Sequence, residues 1–174
     1  MSQRIPDRVD PRRLAREGQT LSGSLPLDSL PRLAALLQDA TKEADFSLRF
    51  GRDRERRFTV DLALKAELVL ECQRCLESMV LEVDTHTPLA LVAGPMEAEQ
   101  LPAELDPLTL AAEEYLDVAA LVEDELLLAI PASPRHADAE CSSHLKEQQN
   151  PLAERENDNP FAILAKLRDG ENHN

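Results

Sequence analysis

Period-two alternation dominates the middle of the chain. Phe58, Val60, Leu62, Leu64, Ala66, Leu68 and Leu70 share one parity, while Thr59, Asp61, Ala63, Lys65, Glu67, Val69 and Glu71 take the other. An apolar parity beside a wetter one is the pattern of a strand in an antiparallel sheet with one buried face. A second run follows, with Met79, Leu81, Val83, Thr85, Thr87, Leu89 and Leu91 in phase. The residues between the runs, Cys72-Gln73-Arg74-Cys75-Leu76, then read as a paired-thiol turn closing a β-hairpin. At ~3.3 Å per residue the strand over residues 58–71 would run about 46 Å if straight. A globule of this chain length is only about 40 Å across. The strand is therefore expected to bend, bulge or break, giving a strongly curled meander or partial barrel.

Shorter patterns surround this hairpin. Leu21, Leu25 and Leu27 around Gly23 suggest a short strand, placed at a sheet edge by Pro26. Asp28-Ser29-Leu30-Pro31 starts a helix whose stripe is Leu33, Leu36, Leu37 and Ala40. Phe46, Leu48 and Phe50 alternate with Ser47 and Arg49 as another strand, and residues 51–55 turn the chain. Residues 93–109 read as a loop rich in Pro and Glu. Asp117 opens a helix through Val118, Leu121, Val122, Leu126 and Ala129, stopped by Pro131, with Glu123 and Asp124 on its outer, solvated face. Asn159-Pro160 starts a short helix with Phe161, Leu164 and Leu167 on one stripe. Two turns are too short to be helical alone, so this peptide must dock on something.

The expected architecture is α+β: a curled antiparallel β-meander or partial barrel with two packed helices, a flexible N-terminal arm and a C-terminal short helix. The expected division is an Arg-rich arm over 1–19, a core over 20–131, a polar linker over 132–158 and a docking helix over 159–168.

Composition narrows the function. A chain of 174 residues suits one domain with tails. With 3% aromatic residues and no Trp, its core must be built mainly from Leu, Val and Ala. The net charge of −14 is not spread evenly: residues 76–140 hold fifteen Asp and Glu against the single cation Arg135, and the remainder is neutral. Within that remainder lie a basic head (Arg4, Arg8, Arg12, Arg13, Arg16) and a basic strand and loop (Arg49, Arg52, Arg54, Arg56, Arg57). The acidic half suits a basic protein partner, while the arginines suit local phosphate contact. The longest central apolar run, Leu126 to Ile130, falls far short of the ~20 residues that span a bilayer. Three cysteines, an odd number, in a chain with no export signal argue for a reducing cytoplasm.

The cysteine pair has three readings. Zinc takes four tetrahedral Cys or His ligands, and Cys72, Cys75, Cys141 and His144 make such a set, with His136 as the substitute ligand. A redox dithiol would instead be expected to open a helix after a parallel strand. The plain alternative is two thiols packed in a hairpin turn. No Gly-rich phosphate loop, nucleophile elbow or His-Glu-x-x-His sequence is present, and nothing requires an enzyme or a small-molecule substrate.

Several motifs taken together resemble the YceD family of large ribosomal RNA subunit accumulation proteins. They are Asp10-Pro11 with Leu14-Ala15, then Gly23, then Glu71-Cys72-Gln73-Arg74-Cys75-Leu76. Leu121-Val122-Glu123-Asp124-Glu125 follows, running into Leu128-Ala129-Ile130-Pro131, and the last is the run from Asn159-Pro160-Phe161 to Leu167. The resemblance implies a non-enzymatic cytoplasmic factor that supports synthesis, processing or stability of large-subunit rRNA. Its expected partners are that rRNA or its precursor and basic ribosomal proteins. Some members carry further cysteines after the Pro that ends the acidic helix; here only Cys141 remains, with His136 and His144 nearby. The competing expectation is a zinc-binding interaction module with no ribosomal role. On the segregated charge, Arg49, Arg52, Arg54, Arg56 and Arg57 are the candidates for rRNA contact. Glu113, Glu114, Glu123 and Asp124, with Phe161, Leu164 and Leu167, are the candidates for a protein partner.

Overall fold

A computed structural model describes residues 6–138 and Cys141. Five strands form one sheet, and a two-stranded ribbon stands beside it. The elements in chain order begin with β1 (Arg8–Val9), α1 (Pro11–Glu17), β2 (Thr20–Pro26), α2 (Pro31–Ala34) and β3 (Glu43–Arg52). They continue with β4 (Phe58–Glu71), β5 (Ser78–Val92), α3 (Pro95–Ala98), β6 (Asp106–Thr109), β7 (Leu116–Asp117) and α4 (Val118–Ala129). The sheet order is β2-β3-β4-β5-β6, and β1 pairs with β7. Neighbours in the large sheet are antiparallel except β5 and β6, which run parallel. The class is α+β, and the sheet stays open rather than closing into a barrel.

The long strand spans the residues its alternation marks. Val60, Leu62, Leu64, Ala66, Leu68 and Leu70 are all buried, as the central position of β4 requires. It neither breaks nor bulges: its pairing with β5 keeps one register from Thr59↔Ala90 to Glu71↔Ser78. Each such leucine contributes about 1.5–3 kcal/mol through burial, and a bulge would turn the rest of the row to the wet face.

Caps set the helix ends. Asp10 accepts a hydrogen bond from the Arg13 amide at 2.9 Å, Pro11 fills the first turn, and Gly18 closes α1 at φ 63. That left-handed conformation is cheap only for glycine. Asp117 caps α4 through the Ala120 amide at 3.0 Å, and Pro131 follows the end of the helix.

Three expectations change. Residues 8–17, read as an arm, form β1 and α1, with Val9 and Ala15 buried. The Arg12 guanidinium donates to the Leu110 and Ala111 carbonyls at 2.9 and 2.8 Å, holding this segment. The helix expected to run to Ala40 ends at Ala34, because Gln38 donates its amide to the Val69 carbonyl at 2.8 Å and draws the chain onto β4. Leu36, expected on the stripe, is left exposed. The loop expected over 93–109 contains α3 and the parallel strand β6. Phe161, Leu164, Leu167 and His144 lie outside the described residues.

Candidate functional site

The turn between β4 and β5 is a tight knuckle. Cys72 donates its amide to the Glu77 carbonyl, and Leu76 donates to the Cys72 carbonyl, both at 2.9 Å. Leu76 adopts φ 64, a left-handed conformation that costs a residue with a side chain about 1–2 kcal/mol. Cys72 and Cys75 are buried. The segment after α4 runs beside this knuckle, since Gln73 donates its amide to the Pro134 carbonyl at 2.8 Å. His136 follows two residues later.

Cys72, Cys75, His136 and Cys141 can hold a metal ion: each offers one ligand atom, and these atoms lie within 4.8 Å of one another. A tetrahedral zinc with Zn–S bonds of about 2.3 Å needs its sulfurs about 3.8 Å apart, which that spacing accommodates. Three thiolates and one imidazole, two of them buried, match a closed structural site rather than a catalytic one with an open position. Among the described residues, the histidine beside the cysteines is His136, the one the sequence offers as the substitute.

The five candidate arginines separate into different roles. Asp53 organises the β3–β4 turn by accepting the amides of Glu55 and Arg57 at 2.9 Å and the Arg57 Nε at 2.6 Å. Burial pushes the Asp53 carboxyl up, yet the Arg57 guanidinium and these amides prevail and hold it below its ordinary value. Arg57 also reaches Glu55 at 3.0 Å, and Arg49 pairs with Asp61 at 2.8 Å. Arg52 lies 4.6 Å from the centroid of the Phe58 ring. Arg16, from α1, lies over the same ring at 5.6 Å, a proximity that sequence spacing does not announce. Phe58 is thereby half-buried beneath two cations, where its alternation placed it in the core. Arg54 and Arg56 are exposed at the tip and form no ion pair among the described residues.

The acidic run on α4 fans out to three partners. Glu123, expected on a solvated face, is 4% exposed. Its Oε1 accepts the amides of Arg32 and Leu33 at 2.7 and 3.1 Å, and its Oε2 accepts the Arg32 Nε at 2.8 Å. Asp124 meets the same guanidinium at 2.6 Å from the exposed side, and Glu125 accepts the Thr87 hydroxyl on β5 at 2.9 Å. Of the four carboxylates expected to face a partner, Glu123 is therefore withdrawn into the fold, because it supplies the missing acceptor for the start of α2. Glu113 and Glu114 are exposed, and Glu114 also caps the local turn through the Ala111 amide at 3.0 Å.

The fold and site define a small α+β protein with a thiol-rich knuckle and charge divided between its parts. The family model for the large ribosomal RNA subunit accumulation protein YceD matches residues 60–168, well over half of the sequence. The chain belongs to the YceD family. The large ribosomal RNA subunit accumulation protein YceD of Haemophilus influenzae is 29% identical over 168 residues, covering 95% of this chain and 97% of the relative. No solved structure matches the chain. Membership supports a role in the accumulation of large-subunit rRNA, and the family is described as an accumulation factor rather than as an enzyme. No helix among the described residues is long and apolar enough to cross a membrane.

Proposed function

We propose that this protein is a non-enzymatic, cytoplasmic factor for large-subunit assembly that binds precursor rRNA and a basic ribosomal protein on separate surfaces. The observation that carries the reading is the β3–β4 tip, where Arg54 and Arg56 are exposed and form no ion pair among the described residues, beside the Arg16–Phe58–Arg52 stack. Exposed guanidinium groups release counterions when they meet phosphate, so such a tip suits contact with backbone rather than with base edges. The excess acid over residues 76–140, presented at Glu113, Glu114 and Asp124, suits a cationic protein segment. The test is a deletion strain complemented with wild type or with Arg54→Glu/Arg56→Glu, its ribosomal particles resolved on sucrose gradients and its rRNA quantified. Loss of large-subunit rRNA with the variant supports the reading, and full rescue overturns the role of the tip.

A second reading concerns the cysteines, and the ligand spacing favours it. Zinc held by Cys72, Cys75, His136 and Cys141 would cross-link the end of the β4–β5 hairpin to the chain beyond α4. The metal would serve folding rather than chemistry.

A further inference from the structure

Among the described residues, strand β2 is one edge of the sheet and pairs only with β3. The bond from the Phe50 amide to the Gln19 carbonyl fixes the ladder phase, and so does the bond from Leu27 to Lys42. Leu21, Gly23 and Leu25 therefore turn their backbone groups to β3, while Thr20, Ser22 and Ser24 point theirs away from the sheet. Natural edges are blunted by lysines, inward charges, bulges or proline. In a chain with 30% charged residues, the stretch from Gln19 to Leu27 carries no charge, and only Pro26 interrupts it. The opposite edge, β6, is short, begins at Asp106 and contains Pro107.

The unguarded edge also reads the same in both directions: Leu21-Ser22-Gly23-Ser24-Leu25. We infer that β2 is a self-association surface, pairing antiparallel with β2 of a second copy about a two-fold axis at Gly23. This goes beyond the ribosomal reading and does not depend on it. In that register Ser22 faces Ser24 of the second copy and both backbone bonds form in each pair. Leu21 meets Leu25, and Gly23 meets Gly23, on the face that carries Phe46 and Leu48. Leu21 and Leu25 are half-buried at the rim, and pairing covers them. Only the outermost pair, Thr20 with Pro26, loses a bond, for want of a proline N–H. An isologous contact of this kind needs a self-complementary patch, and the palindrome supplies one. A charge-free seam also matters because each copy carries −14. The copies repel at long range, so salt strengthens the pairing, whereas it would weaken a cationic ligand on the acidic surface.

The experiment is sedimentation velocity on the full chain from low to high micromolar concentration, at low salt and at about 0.5 M salt. The expected result is a reversible dimer, tighter at high salt. In Ser22→Pro the outward amide is removed without touching the β3 ladder, and dimerisation weakens at least about tenfold through the two symmetry-related bonds. Circular dichroism checks that the fold is retained. If Ser22→Pro fails to fold, Ser22→Lys/Ser24→Lys sets like charges opposite one another and decides the matter by the same readout. A monomer at every concentration overturns the inference and leaves the edge to a strand of another protein. A dimer insensitive to the variants that fold overturns it too, by moving the contact to another surface.

Discussion

Glu123 and Arg32 are joined twice over, through the Arg32 backbone amide at 2.7 Å and through its guanidinium at 2.7 Å. One buried carboxylate thus caps the short helix α2 and neutralises the side chain at its start, while Asp124 closes the guanidinium from outside. Helix α2 has a single turn and cannot persist by propensity. Its place depends on this residue of α4 and on the burial of Leu30 and Leu33.

Glu123→Ala should therefore destabilise the protein by about 2–3 kcal/mol, because it leaves two buried amides without their acceptor and the Arg32 guanidinium with Asp124 alone. Asp124→Ala, at the exposed end of the same network, should change stability little. Urea denaturation of the two variants measures the contrast, and equal effects would count against this account.

The same carboxylate sets an acid limit. Burial pushes the Glu123 pKa up, but the Leu33 amide and the Arg32 guanidinium and amide outweigh it, leaving the group below its ordinary 4.5. A depressed folded-state value means stability that is complete above 4.5 and lost as pH falls from there through the lowered folded value. Asp53, also held low, acts in the same direction. Thermal melts between neutral pH and the acid range should show this fall, with a shallower slope in Glu123→Gln.

Purified protein should carry about one equivalent of zinc, as a closed four-ligand site requires. Cys72→Ser and Cys141→Ser should each lower that content to below about a tenth. Elemental analysis measures the content directly. Cobalt substitution adds a check, since charge-transfer bands from thiolate should weaken in each Cys→Ser variant and survive in His144→Ala. Retention of the metal in Cys72→Ser would contradict the ligand set.

Arginine variants should divide by partner rather than by position. Arg54→Ala and Arg56→Ala should weaken binding to a large-subunit rRNA fragment and lower its salt slope by about one each, with stability unchanged. Arg57→Ala should instead loosen the turn, because Asp53 and Glu55 lose their cation. Filter binding across a salt series, beside thermal melts of the same variants, separates the two effects.

Much of the sheet was legible from residue order. The alternation at Phe58–Glu71 gave β4 its bounds and its buried parity, since a two-residue period has one reading when one face is apolar. Asp117 and Pro131 marked the ends of α4 for equally local reasons. Residues 8–17 read as part of an arm because α1 has little amphipathic pattern of its own, and a distant pair of carbonyls holds Arg12. Glu123 reads as solvated because an acidic triplet looks exposed until its acceptor role toward a residue ninety positions away is known.

Residue order by itself determined the strand phases, the ends of α4, the cysteine spacing and the separation of acid from base, each encoded within a few neighbouring positions. Tertiary structure alone decided that Glu123 turns inward, that Arg16 joins Arg52 over Phe58, that β6 pairs parallel to β5, and that, among the described residues, His136 comes beside the cysteines. Those outcomes depend on which surfaces close against one another once apolar faces are buried, and local patterns carry no term for that.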